Sequence, residues 1–133
     1  MKSAEIKKIV DYCKFKPQIK LVYIFGSQAN GETGPFSDYD FAFYVGIKDS
    51  GKIFDLHIKL INDLSDVIKV DSEKIDIVMI NTTKSPELLY NIIKGGKLIF
   101  EREPFRVLVE PKILSGYFDF RQMLLKYNLT KAL

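Results

Sequence analysis

The chain has 133 residues, 47% of them hydrophobic and 28% charged, and 20 Lys and Arg against 17 Asp and Glu leave a net charge of +3. That length fits one domain with a real buried core, and the composition excludes a disordered chain. The small positive surplus gives no reason to expect direct nucleic-acid binding, which calls for a dense basic stripe, and no apolar run approaches the roughly 20 residues of a membrane span.

Cys13 is the single cysteine, so no internal disulfide forms and a soluble, reducing, cytoplasmic setting without a signal peptide is expected. In chain order, residues 4 to 14 read as a helix from the spacing of Ile6, Ile9, Val10 and Cys13, with Ser3 as its cap and Pro17 beyond its end. Residues 19 to 25 form a β-rich run closed by Gly26. Ser27 to Asn30 suit one short helical turn ending at Gly31, and Gly34-Pro35 marks a loop. Residues 39 to 45 read as a strand whose alternation puts Asp38, Asp40, Ala42 and Tyr44 on one face and Tyr39, Phe41, Phe43 and Val45 on the other. An amphipathic helix is expected over 52 to 69, and a central strand, apolar except for Asp76, over 75 to 80. A second capped helix begins at Ser85-Pro86-Glu87 and stops at Gly95-Gly96. A short strand follows at 98 to 100. Pro111 is expected to interrupt any continuous helix, leaving 112 to 128 helical. Helices and strands alternate, which implies an α/β or α+β sheet with helices on at least one face.

The residues that carry chemistry cluster early. A glycine lets an anion approach the backbone, because no Cβ stands in the way. A helix starting at Ser27 would add free amides, and its hydroxyl one more donor. Asp38 and Asp40, two residues apart on a strand, point the same way and repel unless a cation neutralises them. Mg²⁺ takes a few carboxylates together with phosphate oxygens and water, which such a pair supplies. Asp76 adds a third acid: in an apolar central strand an uncompensated carboxylate is costly, so it wants a cation or an ion pair. If its strand lies beside 39–45, Asp76 joins the acidic pair at one metal site. The combination suits metal-assisted phosphoryl or nucleotidyl transfer.

Gly26-Ser27, followed eleven residues on by Asp38-Tyr39-Asp40 with Ala29 and Gly31 between, resembles the Gly-Ser-x-Ala-x-Gly…Ser-Asp-x-Asp signature of polymerase-β-like nucleotidyltransferases. The short chain resembles the minimal nucleotidyltransferases that act as antitoxins of HEPN toxins, and residues 88–97 and 114–120 are similar to later segments of that group. The resemblance implies an α+β (α/β-like) fold with a mixed central sheet of about four strands flanked by helices, divided into a nucleotidyltransferase core over 1–100 and a helical extension over 101–133 that contacts a partner. It also implies Gly26 and Ser27 at the triphosphate of ATP, with Asp38, Asp40 and Asp76 as catalytic, Mg²⁺-binding acids for two ions. The reaction implied is transfer of AMP from ATP to a hydroxyl, a tyrosine of the HEPN toxin, which would neutralise it. The alternatives are neutralisation by stoichiometric binding and nucleotidyl transfer to a small molecule. The sequence departs from the family pattern at Gln28, where an Arg is usual, and at Tyr39, where Ile or Leu is commoner; the latter should alter packing more than chemistry. His57 reads as a structural or surface residue, Cys13 as core, and Tyr117, Phe118, Phe120 and Tyr127 as core at helical spacing, with a partner surface as the alternative.

Overall fold

The structure, a computed structural model, describes residues 1–26 and 38–127. Its elements are α1 (Ser3–Lys14), β1 (Ile19–Phe25), β2 (Tyr39–Val45), α2 (Ser50–Ile68), a 3₁₀ turn (Ser72–Lys74), β3 (Ile75–Met79), α3 (Pro86–Gly95), β4 (Lys97–Glu101) and α4 (Phe105–Lys126). The four strands form one sheet in the order β3-β2-β1-β4. β1 runs antiparallel to β2 and β4, while β2 and β3 are parallel. The parallel pair requires a long crossover, and α2 provides it. The outcome is the expected mixed four-stranded α+β sheet, here with helices on both faces.

Alternation along each strand divides the core in two. Val22 and Ile24 of β1, Phe41, Phe43 and Val45 of β2, and Ile75, Ile77 and Met79 of β3 pack with Ile9 and Cys13 of α1 and with Ile53, Leu56, Leu60, Leu64 and Ile68 of α2. Cys13 is core, as its position on the apolar face of α1 suggests. The opposite faces of the same strands present Leu21, Tyr23 and Ala42 to Ile92 of α3 and to Val109 and Ile113 of α4.

Local signals explain most helix ends. The Asp49 side chain accepts from the Lys52 amide and starts α2 two residues earlier than expected, and Lys69 closes it in a left-handed conformation. Ser85 caps α3, with Pro86 in its first turn. Arg102, just past β4, donates to the carbonyls of Cys13 and Lys14 at the end of α1 and of Ile19 at the start of β1. One guanidinium therefore satisfies acceptors that the end of a helix leaves open.

Three expectations need correction. The cap of α1 is Lys2, not Ser3, and its amide donates to the Glu5 side chain. α4 continues straight through Pro111. Proline removes one bond of the ladder, but Pro111 is exposed, whereas Val109 and Ile113 on either side are buried against the sheet and hold the helix together. Among the described residues, the strand carrying Asp76 is an edge strand, not a central one, because none of them pairs with β3 on the side away from β2. Among the described residues no helix is long and apolar enough to cross a membrane.

Candidate functional site

β1 ends at Phe25, which pairs with Asp40 in the second position of β2, and Asp40 is in turn level with Asp76 of β3. Three adjacent strands thus bring the Gly26 turn, Asp40 and Asp76 to one corner of the sheet. Gly26 has φ +70°, a conformation that side chains disfavour, and a Cβ built on it would lie 2.5 Å from Asp40 Oδ2. The glycine is therefore required twice, by its own backbone and by the carboxylate beside it. Asp38 stands just before β2, exposed rather than in the strand. Ser27, the other expected phosphate contact, lies outside the described residues, as does the expected turn from Ser27 to Gly31.

The electrostatics of the corner follow from this register. Asp40 is half-buried, and its carboxyl is pushed above the ordinary carboxylate range by burial first, then by the charges of Asp76 and Asp38. Asp40 senses both of the other acids. Asp76 is exposed, so the expected cost of an acid in an apolar strand does not arise. The apolar neighbours Ile75, Ile77 and Met79 face the α1/α2 core, and Asp76 takes the other face.

The donor chemistry of this corner is that of a hard divalent cation: carboxylate oxygens, one of them resisting ionisation for want of compensation. Among the described residues, however, no three His, Cys, Asp or Glu side chains converge tightly enough to form a ready ligand cage.

Tyr39, between the two acids, turns to the opposite face and its hydroxyl donates to Glu5 Oε2 of α1 at 3.2 Å. Burial, then the Glu5 charge, push that hydroxyl above its ordinary value. Nothing in the sequence pattern singles out Glu5; it lies 34 positions from Tyr39 and meets it only in the fold. Two cavities, of about 390 and 580 Å³, lie at the other end of β2 around Tyr44, Asn81 and Phe105, and none of Gly26, Asp38, Asp40 and Asp76 lines either. Asn81 is occupied there in bracing the end of β2, with both its side-chain atoms bonded to the Val45 backbone.

The aromatic residues of α4 are less buried than their spacing suggests. Tyr117 stacks on Tyr90 of α3 at 3.9 Å between ring centres, and Phe118 meets both rings edge-on while remaining 54% exposed. Tyr127 is exposed as well. Of α4 only Val109, Ile113 and Leu124 are buried, so its other apolar side chains lie wholly or partly at the surface.

Comparison with known proteins places this corner in context. Residues 7–105 match the profile of the family described as Polymerase beta, Nucleotidyltransferase. A curated relative, the protein adenylyltransferase MntA of Aphanizomenon flos-aquae (strain 2012/KM1/D3), is 31% identical over 93 residues. That alignment covers 64% of this chain, and the chain spans 59% of the length of the relative. Among solved structures, a toxin-antitoxin with AMP-PNP superposes with a TM-score of 0.72 at 21% identity, covering 96% of this chain and 98% of the other. A complex of a tri-AMPylated Shewanella oneidensis HEPN toxin with its MNT antitoxin gives a TM-score of 0.71 at 18% identity, with both chains covered in full. At these identities the superpositions speak for a shared fold.

Proposed function

We propose a function from one premise: this chain belongs to the polymerase beta nucleotidyltransferase family. The reading is that it transfers AMP from ATP to a hydroxyl, a tyrosine of a HEPN-type toxin partner, and so acts in the cytoplasm as that toxin's antitoxin. The observation that carries it is the corner where Gly26 stands against the Asp40 carboxylate with Asp76 level on the next strand. The adenylyltransferase relative and the toxin-antitoxin folds point the same way.

In this reading Asp38, Asp40 and Asp76 would hold Mg²⁺, which when bound supplies positive charge to the phosphates and the leaving oxygen. Asp40 is the pivotal member: burial and its two acidic neighbours disfavour its ionised form, which a bound cation would favour. Gly26 brings backbone, and Ser27 its hydroxyl, to the phosphates. The acceptor hydroxyl oxygen attacks the α-phosphorus in line, the bond to the bridging oxygen breaks, and pyrophosphate leaves with its electron pair. The hydroxyl proton passes to a carboxylate of the set, and Asp76, the exposed member of the β2–β3 pair, is open to an arriving acceptor. Residues 1–100 carry the chemistry, and 101–133 extend the same domain and contact the partner.

Neutralisation by binding alone is the second reading, favoured by the apolar side chains that α4 leaves at the surface, Val107, Leu108, Phe118 and Leu125 among them. One experiment separates the two. The protein is incubated with Mg²⁺, ATP labelled at the α-phosphate and a HEPN-type toxin, beside the variant Asp38→Asn/Asp40→Asn. Label on the partner with native protein only is the expected result. Absence of label, with equal protection by native and variant protein, would overturn the catalytic reading in favour of binding.

A further inference from the structure

We propose that Tyr39 and Glu5 form a brace that positions Asp38 and Asp40, a role that rests on the function proposed above. The β1–β2 ladder reaches only as far as the Phe25–Asp40 pair. Among the described residues, Tyr39 is therefore held by a ladder on one side alone, where it is level with Ile75 of β3, and β3 is itself an edge strand. This end of β2 lacks the β1 ladder, and it is where the acids sit.

The Tyr39 side chain makes up for that. Its ring packs against the core beneath α1 and α2, and its hydroxyl donates to Glu5 Oε2 at 3.2 Å. The other oxygen, Oε1, accepts the Lys2 amide at 3.1 Å and so belongs to the cap of α1. One carboxylate ties the start of β2 to the first turn of α1. Both acids flank the tied residue, one on each side along the chain, so the tie limits the freedom of both. A Leu or Ile in this place would fill the space without fixing the strand along its axis, since apolar contact is not directional. Carboxylates that share an ion and a triphosphate tolerate misplacement of only about 0.5 Å. Tyr39 and Glu5 touch neither substrate nor ion, and are positioning residues.

The test uses the full chain with Mn²⁺ and a non-hydrolysable ATP analogue, free Mn²⁺ being followed by electron paramagnetic resonance. Tyr39→Phe keeps the ring and removes the hydroxyl; Glu5→Ala removes the acceptor; Glu5→Gln restores an acceptor oxygen. Tyr39→Phe and Glu5→Ala are each expected to weaken Mn²⁺ binding by about tenfold, as loss of a partner behind a ligand commonly does. The double variant should be no weaker than either single one, because both remove the same bond, and Glu5→Gln should regain most of the loss. In the transfer reaction kcat should fall while KM for the acceptor stays constant. Lower thermal stability with native-like Mn²⁺ binding would show a purely structural contact and overturn the brace, as would additive losses in the double variant. Failure of the brace is distinguishable from failure of the proposed reaction: native protein that binds Mn²⁺ in a Tyr39-dependent way yet labels no partner defeats the reaction and leaves the brace standing. Native protein that binds no Mn²⁺ defeats both.

Discussion

On one side of β2, Phe41, Phe43 and Val45 disappear beneath α1 and α2; on the other, Ala42 and Tyr44 pack with α3 and α4, and Asp40 is left half-buried. The covering helices differ in kind. α2 buries Ile53, Leu56, Leu60, Leu64 and Ile68 along one stripe, leaving Phe54 and Ile58 outside. α4 is longer, at 22 residues against 19, yet buries only Val109, Ile113 and Leu124. Its apolar residues are spread around the helix, and Val107 remains 74% exposed. The first face holds the molecule together. The second leaves Val107, Leu108, Phe118 and Leu125 exposed, the surface on which the proposed partner contact rests.

That contrast predicts how substitutions separate. The largest loss of stability belongs to the closed face: Leu60→Ala, at a fully buried position, should cost about 2–5 kcal/mol, measured by chemical denaturation, with residual activity tracking the folded fraction. If this variant were neutral, the α2 layer would not be the stabilising one. Gly26→Ala acts on the working face, forcing a side chain into a left-handed backbone and against Asp40 Oδ2. The strain should cost about 1–2 kcal/mol, and AMP transfer should fall far more than the folded fraction does. Equal losses of the two would contradict the assignment of this corner.

A smaller effect is expected from Asp40→Asn, and its direction depends on pH. The native carboxyl ionises above its ordinary range because of burial, then Asp76 and Asp38. Between the unfolded value of about 3.9 and that raised value, the native state binds more protons than the unfolded state. Stability of the metal-free protein therefore falls as pH rises through this window, and the penalty persists above it. Melts in chelator should show this slope in the native protein and a flatter one in Asp40→Asn, which should also be slightly the more stable near neutrality. Added Mg²⁺ should raise the melting temperature of native protein and not of the variant. The smallest effect on stability belongs to the outer surface of α4. Phe118→Ser, at a half-exposed position, should stay within about 0.5 kcal/mol of native, yet weaken capture of the toxin partner in pull-down. Loss of stability without loss of partner binding would make Phe118 part of the core.

Much of this was legible from residue order. The i, i+2 alternation of β2 separates Asp40 from Phe41 and Phe43 whatever the sheet does, because successive side chains leave a strand on opposite sides. Ser85-Pro86 announces α3, since a cap and a proline at the first turn are local effects. The acid-bearing motif was visible for the same reason: its members are close along the chain. Asp76 was found for a reason that did not hold. A run of apolar residues is equally consistent with a central strand and with an edge strand covered on one face by α2, and only the pairing order distinguishes them.

Sequence by itself determined the periods, the Ser85 cap of α3 and the two-acid motif, because each arises from backbone geometry over a few neighbouring residues. Tertiary structure alone decided that Asp76 comes level with Asp40, that Gly26 stands against that carboxylate, that α4 passes through Pro111, and that Glu5 reaches Tyr39. Those outcomes depend on which distant segments gain most by packing together, a competition of burial against chain entropy that no local stretch records.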